Sequence, residues 1–440
     1  MKSNRQNYML LWLCIFLCIP SVIRGQEVEI RTRIMDNSTH LPIAWTNLYV
    51  EGKLKCISNI DGDILTKVHA TDTLLFAVAG YSEQRWMAAQ VPAVITMEPL
   101  DRELREVVVL SDFAVLMNTF KKMKKEYSQY RKKACPYFNR ITVQSGEQTE
   151  IVEDFLHAKS AISLRDLGLY SGHYWGKSRE GDSITSYLKK IDLHKMLSTG
   201  PMMPQQPSGN SFTLPFPMNC SLSHLKKHYE ISSDLLDMKG NLIYCIHLKK
   251  KGVKQSMLLT GDMYIDARSF HLLRFDGNVD VLLYIKRQEE NITILERMPG
   301  DLKIHVSFRE KNGFTEVSDM YYEIAASDVS IQSVLFNVED YQFPFKKSVP
   351  VRDNLLDAID KLRASPQLFE TPNVIKRTEK EDSIIQHSMK NGGGSMPSVS
   401  LPVQASTHSL VRVLSRRRGS SIVKKTLAHR QEAGYSPTRT

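Results

Sequence analysis

Leu41-Pro42-Ile43-Ala44-Trp45-Thr46-Asn47-Leu48-Tyr49-Val50, followed by Ser58-Asn59-Ile60-Asp61-Gly62-Asp63-Ile64, decides the fold of the first hundred residues. A proline presets φ at a strand entry, apolar and polar residues then alternate, and Asn-Ile-Asp-Gly closes a hairpin with glycine where positive φ is needed. Working outward, the same rhythm of short runs and turn residues extends from Val28 to Val109. It predicts strands near 28–34, 43–50, 54–58, 63–67, 73–78, 93–97 and 105–109. Seven short strands in so few residues make a β-sandwich over 26–110.

Upstream, Lys2 and Arg5 precede an apolar run from Met9 to Ile23 and then Arg24-Gly25-Gln26. That is the layout of a secretory signal peptide over 1–25, with a run shorter than the ~20 residues a spanning helix needs. Cys18 follows Phe16 and Leu17 rather than small residues, which favours an ordinary cleaved leader over a lipid anchor. The expectation is an exported protein, periplasmic or associated with the outer membrane. The later cysteines, Cys56, Cys135, Cys220 and Cys245, have no C-x-x-C spacing. They read as buried or free thiols, with a Cys220–Cys245 disulfide as the alternative.

Downstream, Leu116, Phe120, Met123, Tyr127 and Tyr130 recur at steps of four and three, predicting an amphipathic basic helix over Phe113–Lys133 within a linker at 111–135. The segment 136–370 reads as a larger, mostly β domain: a curved antiparallel sheet with strands near 137–145, 242–250, 255–266, 270–284, 301–310, 314–325 and 331–338. A short helix is expected at Asp353–Arg363, capped by Asp353 and stopped before Pro366. From Thr371 to Thr440 glycine, serine, proline and arginine predominate without an apolar period, the composition of a disordered tail. Most of the formal net charge of +10 resides there: Val411–Thr440 holds eight Lys or Arg against one acid. The Arg416-Arg417-Arg418 run lacks interleaved aromatics, so nucleic acid is not an expected partner. An anionic membrane surface is the contact such a tail offers.

The first domain resembles the carboxypeptidase regulatory-like domain found at the front of many Bacteroidetes envelope proteins. The residues that carry the resemblance are the two opening stretches, Asp72-Thr73-Leu74-Leu75-Phe76-Ala77-Val78-Ala79-Gly80-Tyr81, Ile95-Thr96-Met97-Glu98-Pro99-Leu100 and Leu104-Arg105-Glu106-Val107-Val108-Val109. The resemblance implies a prealbumin-like sandwich without peptidase chemistry, used as a spacer or docking module. Asp154–Leu167, Tyr170–Gly176, Gly261–Asp266 and Leu272–Gly277 look like segments of larger Bacteroidetes exported proteins in which such a sandwich precedes a long β domain. At the level of fold, the second domain is also similar to lipoprotein-carrier half-barrels, in which a curved sheet shields an acyl chain.

Catalytic signals are weak. His224 and His228 share one helical face but lack the glutamate that follows the first histidine in zinc peptidases. His173 beside Tyr174 and Trp175 reads as an edge histidine packed on rings, and a hydrolase would need it to meet His247 and acids on other strands. Glu153-Asp154 reads as a solvated pair whose side chains diverge. There is no G-x-S-x-G elbow, P-loop or G-x-G-x-x-G. No catalytic, cofactor-binding or metal-ligating residue is assigned, and no cofactor is expected. The expected function is a non-catalytic envelope binding or assembly protein whose partner is another envelope protein; the alternative is a carrier of a lipid or other apolar ligand in the middle β domain.

Overall fold

The computed structural model describes residues 26–100, 110–130, 135–146, 148–158, 168–176, 222–238, 241–252, 259–289, 292–312, 314–327, 329–340, 347–351, 355–363 and 374–390. The protein is mainly β. Strands β1 (Glu27–Asp36), β4 (Asp63–His69) and β7 (Val94–Met97) form one sheet in the order β4-β1-β7. Strands β2 (Asn47–Val50), β3 (Lys53–Ile57), β5 (Thr73–Ala77) and β6 (Gln84–Met87) form a second, in the order β3-β2-β5-β6. Every second residue of β1 from Ile30 points inward, and Ile30, Ile34, Leu48, Ile64, Leu74, Phe76 and Met97 fill the space between the sheets.

The turn forms where the opening stretch predicts it, but it closes no hairpin: it carries the chain from β3 in one sheet to β4 in the other, which pair with β2 and β1 respectively. Asn59 Oδ1 accepts the backbone N–H groups of Asp61 (3.0 Å) and Asp63 (2.8 Å). Gly62 has φ +76°, and a Cβ there would sit 2.5 Å from the Ile34 carbonyl oxygen. Two further details differ. The expected strand 43–50 is regular only from Asn47, because Trp45 takes a left-handed φ of 60° that turns its ring out of the sandwich. Strand β6 was not foreseen, and the expected strand 105–109 lies outside the described residues.

Helix α1 (Asp112–Tyr130) follows, with Leu116, Phe120 and Met123 buried as their spacing predicts; the side chains of Tyr127 and Tyr130 lie outside the description. The rest builds one antiparallel sheet from β8 (Cys135–Ser145), β9 (Gln148–Ala158), β10 (Gly168–Trp175), β11 (Tyr229–Met238), β12 (Asn241–Lys250), β13 (Thr260–Asp266), β14 (Leu272–Glu289), β15 (Ile292–Lys311), β16 (Phe314–Ala326), β17 (Val329–Asn337) and β18 (Val349–Pro350). Its order is β11-β12-β13-β14-β15-β16-β17-β8-β9-β10-β18. Helices α2 (Leu222–His228) and α3 (Leu355–Arg363) join α1 on the inner face. Helix α1 touches both β11 and β16. Nineteen residues of helix span about 28 Å, and five interstrand steps span about 24 Å, so α1 reaches across the sheet rather than along one strand.

The outer face carries the sandwich. Trp45, Leu54 and Ile57 pack on Phe138, Phe155, Tyr321 and Phe336, with Trp45 stacked on Tyr321 at 4.6 Å. Residues 374–390 are folded, which moves the start of the expected tail: composition placed the boundary at Thr371. Val374-Ile375 pairs with β3, and α4 (Glu379–Lys390) begins with a reciprocal capping box between Thr378 and Glu381. Ile385 of α4 packs on Ile151 and Trp175. Residues 391–440, with the basic run, lie outside the described residues.

Candidate functional site

Strand alternation gives every sheet residue a side, and the inner side is almost wholly apolar. Tyr137, Ile141 and Val143 of β8, Val152 and Leu156 of β9, Val306 of β15 and Ile331 and Leu335 of β17 all belong to one buried cluster with the helices. A polar row interrupts it. Tyr322 of β16 lies opposite Ser333 of β17, Asn139 of β8 lies opposite Asp154 of β9, and Asp154 lies opposite Gly172 of β10. The Ser333 hydroxyl donates to Asn139 Oδ1 at 3.2 Å, and Asn139 Nδ2 donates to Asp154 Oδ2 at 2.9 Å. Both ends are open: the Tyr322 hydroxyl and Asp154 Oδ1 are buried without a hydrogen-bond partner among the described residues. Gly172 admits Ile359 of α3 against this end of the row, where a Cβ would meet Ile359 Cγ1 at 2.8 Å.

Burial, aided by the charge of Glu153, pushes the Asp154 carboxyl up to about 8, against the Asn139 hydrogen bond that favours ionisation. Burial likewise raises the Tyr322 phenol. At neutral pH the row is therefore uncharged and ends in two unsatisfied hydroxyl-type groups under a helix. Leaving such groups unpaired costs about 1–3 kcal/mol each.

Glu153, the chain neighbour of Asp154, faces outward and is also fully buried. Burial works against its ionisation, but hydrogen bonds and charge from Arg377 and Arg140 overcome it and hold the carboxyl at about 2. Arg140 Nε lies 2.7 Å from Glu153 Oε1, and Arg377 Nη2 lies 2.6 Å from Glu153 Oε2. The expected solvated pair is thus corrected: the two carboxyls do diverge, but neither is solvated, because sheet, sandwich and helices cover both faces.

Three other groups carry titratable side chains, the first two of them on the outer face. His305 Nδ1 lies 2.5 Å from Asp276 Oδ1, and its Nε2 lies 3.0 Å from Ser307 Oγ. The order of groups is that of a hydrolase triad, yet His305 and Ser307 are each 5% exposed and the Trp45 ring sits 6.2 Å from the histidine ring. A substrate has no approach to the serine, and the cluster serves as a satisfied network beneath the sandwich. Cys245, His247 and Asp262 form a second group, and Cys135, Glu316 and Glu339 a third, each with ligand-type atoms gathered closely enough to hold a metal ion.

The remaining sequence candidates separate. His173 is 5.5 Å from the Trp175 ring, as expected for an edge histidine. Seven strands lie between β10, which carries His173, and β12, which carries His247, so the dispersed hydrolase centre is not assembled. The segment Leu222–His228 is helical, but the side chain of His224 lies outside the description. Cys56, Cys135 and Cys245 are buried and in no disulfide among the described residues, and Cys220 lies outside them. No described helix is long and apolar enough to cross a membrane. Among the described residues a polar cleft of about 570 Å³ opens on the outer face between Arg33 and Asp63 of the sandwich, Thr142 and Gln332 of the sheet, and Lys380 of α4.

No family model matches the chain, and no curated protein matches it. Among solved structures it is similar to a DUF1329 family protein from Desulfovibrio piger, at 10% identity and a TM-score of 0.21 over 51% of this chain and 92% of that one. It is also similar to a putative outer membrane lipoprotein-sorting protein domain from Vibrio parahaemolyticus, at 6% identity and a TM-score of 0.19 over 53% and 95%. Likenesses this distant do not bear on what the chain does.

Proposed function

We propose that this protein is a non-catalytic binding protein of the cell envelope that holds a neutral amphiphile between the inner face of its large sheet and the helices that cover it. The observation that carries the reading is the row from Tyr322 to Asp154. It places two unpartnered polar atoms within an aliphatic surface, the mixture of a few polar groups with apolar ones that lines small-molecule sites. Helix α3 has only nine residues, too few to persist without its packing, and Leu355, Leu356 and Ile359 are what hold it over the row. An acyl chain replaces those contacts in kind. The head group is an ester or alcohol rather than a carboxylate, because the burial that opposes ionisation of Asp154 equally opposes bringing in a second, unpaired carboxylate. Export, read from residues 1–25, supplies the envelope setting.

The test is to extract purified protein with organic solvent, identify what is released, and then titrate the stripped protein with a fluorescent fatty alcohol and a fluorescent fatty acid at neutral pH. Uptake of the alcohol, weakened by Asp154→Leu, supports the reading. An extract without lipid together with no uptake of either probe overturns it, and leaves the broader docking role expected from the sandwich.

A further inference from the structure

We infer that Cys245, His247 and Asp262, with Asp234 beside them, form a binding site for a divalent transition-metal ion of the zinc class on the outer face of the sheet. The geometry comes from register. Cys245 and His247 are two apart on β12 and so share a face, Asp234 of β11 lies opposite Cys245, and Asp262 of β13 lies opposite His247. Three adjacent strands thereby bring one sulfur, one imidazole and two carboxylates to a single patch. The ligand atoms of Cys245, His247 and Asp262 all lie within 4.8 Å of one another. His247 Nδ1 is 2.7 Å from Asp262 Oδ1, and Nε2 is 3.1 Å from Asp234 Oδ2. Tetrahedral zinc with bonds of about 2.0–2.3 Å separates its ligand atoms by roughly 3.5 Å, so the widest separation among Cys245, His247 and Asp262 has to close by about an ångström, while Asp234 holds the other ring nitrogen of His247.

The donor set selects the metal. Thiolate and imidazole disfavour magnesium and calcium, which take oxygen ligands, and favour zinc and its neighbours. The surroundings grade from dry to wet across the patch: Cys245 is buried against Leu236, Ile243 and Tyr264, whereas Asp262 and Asp234 reach solvent. A metal therefore enters from the carboxylate side, and the Cys245 thiol releases its proton to solvent as the metal–sulfur bond forms. The site is on the face opposite the polar row and does not depend on the ligand-binding reading.

The experiment is a titration of the purified full-length chain with Co2+, followed by Zn2+ as competitor. The expected result is a thiolate-to-cobalt charge-transfer band with tetrahedral visible bands, saturating at one equivalent and displaced by Zn2+. Cys245→Ser abolishes the charge-transfer band, and Asp262→Asn, at a solvent-reaching position, weakens Co2+ binding by about tenfold or more. Absence of the band, its survival in Cys245→Ser, or unchanged affinity in Asp262→Asn overturns the proposal. Should Cys245→Ser fail to fold, by circular dichroism, Asp262→Asn decides alone.

Discussion

Glu153 and Asp154 are consecutive, equally buried, and titrate in opposite directions. One peptide step along β9 carries the chain from the outer face of the sheet to the inner one. On the outer face the carboxylate meets two guanidinium groups and stays ionised down to about 2; on the inner face it meets an amide and aliphatic side chains and stays protonated up to about 8. The difference teaches how the two faces are used. The outer face is held by compensated charge, in which each buried ion has its partner and removal of one strands the other. The inner face is held by apolar contact and tolerates one neutral polar row whose ends are unmet.

The sharpest way to break this contrast is Glu153→Ala. It leaves Arg140, with 3% of its side chain exposed, facing the backbone carbonyls of Ile375 and Lys376 and a longer 3.6 Å contact to Glu381 Oε2. A loss of about 3–5 kcal/mol is expected in denaturant unfolding, and a loss below about 1 kcal/mol would mean that the sandwich face is not anchored by charge. Next is Gly172→Ala, which drives a Cβ into Ile359. It is expected to cost about 1–3 kcal/mol, with faster amide exchange confined to α3, whereas exchange spread over the sandwich would refute the assignment of α3 as the local cover.

Smaller still, and sharper in shape, is the pH dependence. Asp154 has a raised value when folded, so its contribution is complete below its ordinary carboxyl range. It declines as pH rises towards about 8, by up to about 1.4 kcal/mol per pH unit. Glu153 is depressed, so its contribution is present above the ordinary range and is lost as pH falls towards about 2. Asp154→Asn should flatten the neutral limb of a stability-against-pH curve and leave the acid limb untouched; an unchanged neutral limb would show that Asp154 is ionised when folded. The smallest effect belongs to Lys303→Ala. It removes an exposed 3.4 Å bridge to Glu323 and should change stability by less than about 1 kcal/mol at moderate salt.

Much of the fold was legible in the sequence. Alternation located β1, β4, β5 and β7, and the later strands β12 and β14 to β17 fell near their predicted spans because one face of each is apolar. Strands β8 to β10 were harder. Phe138, Arg140, Glu153 and Trp175 face outward yet are buried under the sandwich or the 374–390 segment, so only β8 was marked as a strand. The capping box Thr378–Glu381 ahead of Ile384 and Ile385 was a local signal for α4, masked by the polar composition around it. The candidate row was not legible, since Tyr322, Ser333, Asn139 and Asp154 come from four strands and meet only through register. Local composition made Glu153-Asp154 a surface pair; pairing across strands decides otherwise.

The strand order also fixes a sequence of assembly. Strands β8 to β10 form one meander and β11 to β17 another, each made of chain neighbours, and among the described residues the ladder that joins them is β17 with β8, where Ser333 faces Ile141. Neighbouring hairpins close cheaply, whereas this ladder closes the longest loop in the sheet and carries its entropy. Zippering of β17 onto β8 is therefore the expected slow step. Until it happens the chain presents two half-sheets with bare edges, the form in which aggregation competes with folding. The hydrogen bond from Ser333 to Asn139 crosses that same ladder, so the buried row comes into existence only when the two halves have joined.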